Sequence, residues 1–548
     1  MSSAIFYAKD AFRINKNKIM GRQVAGNDFL EAYCKFTKYS QFWVYSKTIE
    51  EANDFANFAK SEGVHKTIKF INFANTEALK EPGLLFYPGP DISMLSKNRS
   101  FFKDNLWSIC GVTHTTCTSR VMRSIESLNY SPIQPWDALI CTSKAVHSNV
   151  LKIIKVTEEN LRNRNKATTF IRPQLPVIPL GINTSRFSFT KQDKYNAREI
   201  FKINNDEIVI LYLGRLSFHA KANPFPMYKA LEKASKQAQK KIVLIECGWY
   251  ANNKLKNAFE EASEYLCPNI RIVKANGNEI GVKHKALAAA DIFCSFADNI
   301  QETFGITPVE AMASGLPVVV SDWDGYKDIV REGIDGFRIP TLMPPSDSGN
   351  DLAFRYAIEI DSYDMYLGYT SNLISVDIEL GTKAFYQLFT NERLRNEMGD
   401  NARNRAKNTF DWSRIIIQYL DLWKDLQEIR RSSESVSFNY KSPDRLDPFY
   451  AFSSYSTNII SDKLTIGLIE ESADLSCKKV IDLKNLYLIN YASFLIPDQT
   501  LINDLFNYIE PQERSIKELE SYFYTINSTR LIRAIIWLHK YNLIKVNI

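Results

Sequence analysis

Apolar positions along the chain follow two periods. Short β-type runs stand at Ala4–Ala8, Phe42–Tyr45, Ile68–Phe73, Leu84–Tyr87, Trp107–Val112, Ala138–Thr142 and Pro176–Ile182. Helical patterns lie between them, the clearest at Ser143–Asn163 with Ser143 as N-cap. A second series of strands is expected at Glu207–Leu213, Ile242–Ile245, Ile270–Val273, Ile292–Phe296 and Leu316–Val320. Strand–helix alternation predicts doubly wound parallel sheets, an α/β fold whose ligands bind at the carboxyl ends of the strands.

Breaks in this pattern divide the chain. Pro179 and Gly181 mark a boundary, giving expected domains 1–185 and 186–431. Residues 341–376 are rich in Pro, Ser, Asp and Tyr without periodicity and predict a long loop. Helices are expected at Val376–Thr390 and Glu392–Thr409, then over Arg414–Arg430 with Asp411 or Ser413 as cap. Ser432–Ser442 is polar and reads as a linker. In an accessory domain, 443–548, helical patterns at Gln499–Tyr508, Ser515–Phe523 and Thr529–Tyr541 precede a short strand in Asn542–Ile548. That order predicts a small, mostly α, winged-helix-like module.

The stretch Asn299–Asp324 holds the densest chemistry. Glu302 and Glu310 are eight positions apart, about 800° at 100° per residue, which predicts one edge of a helix. Phe304, Gly305, Ile306, Thr307 and Pro308 have the composition of a helix entrance. Gly305 would let a ligand approach the backbone. Free N–H groups there would attract phosphate, and Gly315 would end the helix. A phosphate cradle with two carboxylates points to a ligand with both phosphate and hydroxyls, a sugar nucleotide.

Four further loops follow expected strands. Lys18–Asn27 carries Gly21 and Gly26, which could admit a phosphate or sugar, or simply form a turn. Gly111–Thr116 carries His114, and Cys141–Lys144 opens a helix. Gly214-Arg215-Leu216 opens a loop that ends at Lys221. Arg215 supplies a fork of donors and Lys221 a mobile point charge, enough to neutralise a diphosphate without a metal. No G-x-G-x-x-G follows a strand, which disfavours a nicotinamide dinucleotide.

With Ala288–Phe293 before it and Gly315–Val320 after it, the Glu302–Glu310 stretch resembles the retaining glycosyltransferases of the GT4 type, group 1, over roughly residues 1–430. The resemblance implies a GT-B fold of two Rossmann-like domains facing a cleft. It assigns Arg215 and Lys221 to the donor diphosphate, Glu302 to the donor sugar, Glu310 to the ribose and His114 to the sugar side. It puts the base near Lys274–Gly277 and a Gly-rich turn with an acidic residue at Asp322–Asp328. Arg215 and Lys221 stand six apart where the family usually has five; Leu180 and Asn183 also depart from its pattern. The donor would be a nucleoside-diphosphate sugar, with no cofactor and no metal. The acceptor would be a saccharide, a lipid-linked sugar or a protein. A sugar-nucleotide epimerase or phosphorylase of the same fold stays open. So does a degenerate transferase acting as a scaffold.

Composition adds limits. A chain of 548 residues is too long for one core, and 45% hydrophobic with 24% charged residues is ordinary for a globular protein. No apolar run approaches the length of a membrane span, and no signal-peptide stretch opens the sequence. Eight scattered cysteines and six histidines predict reduced, buried thiols in a cytoplasmic protein without a zinc site. The net charge of +6 is uneven: residues 1–190 hold about 25 Lys and Arg against about 15 Asp and Glu. Lys9, Arg13, Lys16, Lys18 and Arg22 crowd the first loop. This is a solvated edge or a contact for an anionic acceptor at the inner membrane, peripheral in kind. Charge in 443–548 is nearly balanced, which favours protein contact over nucleic acid.

Overall fold

The computed structural model describes residues 2–13, 21–433 and 440–547. Its chain forms two compact units, Met1–Ser442 and Pro443–Ile548.

The first unit contains two parallel six-stranded sheets. One comprises β1 (Ala4–Phe6), β2 (Gln41–Ser46), β3 (Thr67–Asn72), β4 (Leu84–Phe86), β5 (Ser108–Val112) and β6 (Ala138–Ile140), in the order β3-β2-β1-β4-β5-β6. The other comprises β7 (Ile208–Leu213), β8 (Ile242–Gly248), β9 (Arg271–Asn276), β10 (Ile292–Ser295), β11 (Val318–Ser321) and β12 (Gly336–Ile339), in the order β12-β11-β10-β7-β8-β9. Register follows the apolar runs: Ile210 lies beside Leu244 on one flank and Ile292 on the other. The central strands are buried on both faces, which is why they read as continuous Val, Ile and Leu. In the second sheet the strand order reverses between β7 and β10. A reversal leaves a crevice between the loops that leave the two strands.

Pro176–Ile182 is not a strand; it carries only isolated bridges at Val177 and Ile182. Its two prolines cannot donate to a ladder. It crosses between the sheets and meets the start of the last helix. Thr184 donates through its N–H (3.1 Å) and Oγ1 (2.5 Å) to Asp411 Oδ2, and Asp411 Oδ1 caps the helix at Ser413 N–H (2.9 Å). That helix, Trp412–Ser432, buries Trp412, Ile415, Tyr419, Trp423 and Leu426 in the core of the first sheet, against the helix Gly21–Phe36. Two doubly wound domains facing a cleft, with the last helix returning to the first, constitute the GT-B arrangement.

Residues 341–376 are not a loop. They fold as the short pair β13 (Thr341–Leu342) and β14 (Ser375–Val376) around the helices Asn350–Ala357 and Tyr363–Ser371. Neither helix is three turns long, too short to impose a legible period. Ser362 nonetheless caps the second through the Met365 N–H.

The second unit is a small antiparallel sheet with helices. Helices Gln499–Ile509, Ile516–Tyr522 and Ser528–Lys540 are followed by β17 (Ile544–Asn547), the order expected of a winged-helix-like module. With β15 at Thr465–Leu468 and β16 at Arg514–Ser515, the sheet order is β16-β15-β17. Its central strand, β15, and the helix Ala473–Lys484 come from sequence that had no legible pattern.

Candidate functional site

The β7–β10 crevice gathers most of the candidate residues. The loop after β7 carries Arg215, whose Nη2 donates to the Ala220 carbonyl (3.0 Å) and to Gln301 Oε1 (3.3 Å). It ends at Lys221, which pairs with Glu302 from the segment after β10. A Cβ on Gly248, at the end of β8, would lie 1.9 Å from the Gly214 carbonyl oxygen, so these two loops meet only because Gly248 lacks a side chain. Between them opens a cavity of about 220 Å³. Arg215, Lys221, Trp249, Lys283, Thr307 and Glu310 line it, together with Gly277 and Ile306.

The helix after β10 begins later than the spacing of its glutamates suggests. It spans Ile306–Ala313, so Glu310 lies on it while Glu302 lies in the preceding turn. Gly305 stands between them at φ +112°, a left-handed conformation that ends any helical path from Glu302. Gly305 also has a packing role: a Cβ there would lie 2.4 Å from the Tyr326 ring. Phe304 is likewise a core residue, 2% exposed and packed edge-on against Phe410. Ile306 and Thr307 do face the cavity. The first-turn N–H groups of this helix have no side-chain cap, and Ile306 and Thr307 of that turn border the cavity.

Glu310 is 3% exposed, and its Oε1 accepts from Lys283 Nζ at 2.7 Å. Its Oε2 is buried with no hydrogen-bond partner, as is Asn278 Oδ1 in the same cavity lining. Buried oxygens are rarely left in this state. Two orphan acceptors beside three cations suit a ligand with hydroxyl or N–H donors and an anionic group. Lys283 was not legible as a site residue, because a lysine in a first helical turn usually belongs to a solvated face.

Two candidates lie elsewhere. Gly26 is not in a loop: it sits inside the helix Gly21–Phe36, where a Cβ would meet the Ala11 carbonyl oxygen at 2.3 Å. It permits close packing of the chain after β1, and it borders the same small space as His114. His114 follows β5 and lines a second space of about 20 Å³ with Gly26, Phe12, Phe86, Pro88 and Val112. Its carbonyl accepts from Thr303 Oγ1 at 2.9 Å, so the first domain touches the residue next to Glu302. The domains meet again where Ser143 Oγ donates to Asp324 Oδ1 (3.2 Å) and the Lys144 N–H to Asp328 Oδ2 (2.7 Å). Burial, reinforced by the Glu302 charge, pushes the Asp324 carboxyl up to about 7.

Of the first-loop cations, Arg13 binds Asp54 (Nε to Oδ2, 3.0 Å) and lies over the Phe58 ring. Lys16 and Lys18 lie outside the described residues, as does the side chain of Arg22. Lys274, expected near the base, pairs with the buried Glu246, while Gly277 of the same stretch lines the cavity. Among the described residues no three His, Cys, Asp or Glu side chains converge as a metal-ligand set, and no helix is long and apolar enough to cross a membrane. All eight cysteines are unpaired, seven of them buried.

Residues 193–344 match the family model described as glycosyl transferases group 1. An uncharacterized glycosyltransferase of Methanocaldococcus jannaschii is 25% identical over 260 residues, 45% of this chain and 60% of that protein. A phosphatidyl-myo-inositol mannosyltransferase of Mycobacterium leprae is 48% identical over 59 residues, 11% of this chain and 15% of that protein. The chain thus spans less than two thirds of either relative. Among solved structures, the Anabaena protein Alr3699/HepE in complex with UDP-glucose aligns over 78% of this chain and 100% of its own, at 15% identity and a TM-score of 0.48.

Proposed function

We propose that this chain, whose residues 193–344 belong to the group 1 glycosyl transferases, is a retaining glycosyltransferase that moves a sugar from a nucleoside-diphosphate donor without a metal. The observation that carries the reading is the cavity at the β7–β10 crossover. There two cations that can meet a diphosphate, Arg215 and Lys221, share one space with the unpartnered Glu310 Oε2.

In this reading the diphosphate lies between the β7 loop and the start of the helix Ile306–Ala313. Arg215 and Lys221 hold its oxygens, and the uncapped N–H groups of Ile306 and Thr307 add the positive end of the helix dipole. Glu310 Oε2 accepts from a ribose hydroxyl. Glu302 turns from Lys221 to the hydroxyls of the donor sugar, and His114 faces that sugar from the first domain. In the reaction the bond between the anomeric carbon and the phosphate oxygen breaks, the acceptor hydroxyl oxygen forms the new bond on the same face, and the hydroxyl proton passes to an oxygen of the departing diphosphate. The electron pair leaves on the diphosphate. Charge develops there, so preorganised cations lower the barrier most at that point.

The acceptor is a saccharide or lipid-linked sugar held by the first domain, whose excess of basic residues suits an anionic partner or a peripheral membrane contact. The name of the mannosyltransferase relative is in keeping with a lipid acceptor. The protein would work in the cytoplasm, and the second unit would serve contact with another protein.

The test is incubation of the full chain with UDP-glucose, UDP-N-acetylglucosamine and GDP-mannose in EDTA, with release of nucleoside diphosphate as readout. Release from at least one donor is expected. Release that needs added Mg2+ or Mn2+ would overturn metal independence. No release with or without metal would overturn the transferase reading.

A further inference from the structure

We propose that Tyr363 is a positioning residue for Arg215, acting through Gln301, so that the 350–371 helices brace the diphosphate clamp. This rests on the donor reading above.

Arg215 Nη2 donates to two neutral oxygens, the Ala220 carbonyl and Gln301 Oε1. Such partners fix the direction of a guanidinium while leaving its charge for an anion. Gln301 is itself held at two points. Its backbone N–H donates to Asn299 Oδ1 at 2.9 Å, and its Nε2 donates to the Tyr363 hydroxyl at 2.8 Å. The polarity of this chain is forced. A guanidinium can only donate, so Gln301 must present its oxygen to Arg215 and its nitrogen to Tyr363. The tyrosine oxygen therefore accepts, and its own hydrogen is left for Cys117 Sγ, 3.1 Å away. Burial pushes the Tyr363 hydroxyl well above its ordinary value, so that hydrogen stays in place at neutral pH.

Packing supports the same link. Leu367, fully buried on the helix Tyr363–Ser371, lies against Ala220 of the arginine loop and Cys117 of the first domain. A Cβ on Gly368 would come within 3.0 Å of His219 Cβ, so this helix rests directly on the Arg215–Lys221 loop. Tyr356 on the preceding helix accepts from the Ser119 N–H at 3.2 Å. The insertion thus holds the arginine loop on one side and the segment after β5 on the other.

Tyr363→Phe keeps the ring and the packing and removes only the hydroxyl. Calorimetric titrations with UDP, GDP, UMP and GMP would be compared for wild type, Tyr363→Phe, Gln301→Leu and the double variant. One net hydrogen bond corresponds to about 3- to 10-fold in affinity. The expected result is that Tyr363→Phe weakens the diphosphate that wild type binds by that factor. The corresponding monophosphate should change by less than about 2-fold, with the melting temperature held. Gln301→Leu should give a similar loss, and the double variant no more than either single. Wild-type affinity in Tyr363→Phe, equal weakening of mono- and diphosphate, or additive losses would each overturn the proposal. Failure of wild type to bind either diphosphate would instead overturn the donor reading itself, and the inference with it.

Discussion

Lys221→Ala should separate stability from catalysis at the crevice. Lys221 pairs with Glu302, and their side chains are 28% and 10% exposed. Breaking a fully buried pair costs about 3–5 kcal/mol and an exposed one about 0–1, so this half-buried pair should cost about 1–3 kcal/mol. The loss strands the Glu302 carboxylate near Asp324, whose own carboxyl that charge already helps to raise. At about 2 °C per kcal/mol for a domain of this size, the melting temperature should fall by about 2–6 °C. Adding Glu302→Gln removes the stranded charge and should return most of that loss. Turnover should respond differently. Removing a cation from the leaving diphosphate costs about 2–4 kcal/mol in the transition state, or about 30- to 1000-fold in rate, and the second substitution cannot restore it. The assays are differential scanning fluorimetry and release of nucleoside diphosphate from the active donor. The reasoning fails if the double variant melts as low as the single one. It also fails if Lys221→Ala turns over like wild type, since the diphosphate would then be held elsewhere.

Other expectations follow from the same geometry. Glu310→Gln should weaken both the free nucleoside diphosphate and the intact donor, whereas Glu302→Gln should spare the free nucleotide and depress turnover; equal effects on nucleotide affinity would refute that division. Asp324 is raised from 3.8 to about 7, so its protonated form favours the fold: the stability it contributes is present below about 4 and lost as pH rises to about 7. Asp324→Asn should therefore lose less melting temperature than wild type between pH 5 and pH 8, and an unchanged pH profile would contradict this. Gly305→Ala combines left-handed backbone with a methyl 2.4 Å from the Tyr326 ring and should cost about 2–5 kcal/mol, read by denaturant titration.

The sheets were legible because β7, β8, β10 and β11 are buried on both faces and leave continuous apolar runs. β12 was missed: Gly336-Phe337-Arg338-Ile339 has one glycine, one cation and only two apolar residues at the sheet edge. Arg215, Lys221 and Glu310 were singled out by their strand-end and helix placement together with the family resemblance, and the structure brings the three into one cavity. Glu302 was found but misplaced, because a bare spacing of eight cannot show that Gly305 breaks the helix between the two glutamates. Gly26 and Gly305 also answer to neighbouring groups, the Ala11 carbonyl and the Tyr326 ring, that only the tertiary structure reveals. Lys283, Gln301 and Tyr363 act through partners 27, 86 and 62 residues away, Glu310, Arg215 and Gln301 respectively, and sequence pattern carries no signal at such separations.

The most direct measurement is calorimetric titration of the wild-type chain and Arg215→Ala with UDP and GDP. One of the two nucleotides should bind the wild type and bind Arg215→Ala at least about 30-fold more weakly, the loss expected for one charge-assisted contact of about 2 kcal/mol. Binding of neither nucleotide to the wild type, or equal affinity in Arg215→Ala, would contradict the assignment of this crevice to a nucleoside-diphosphate sugar.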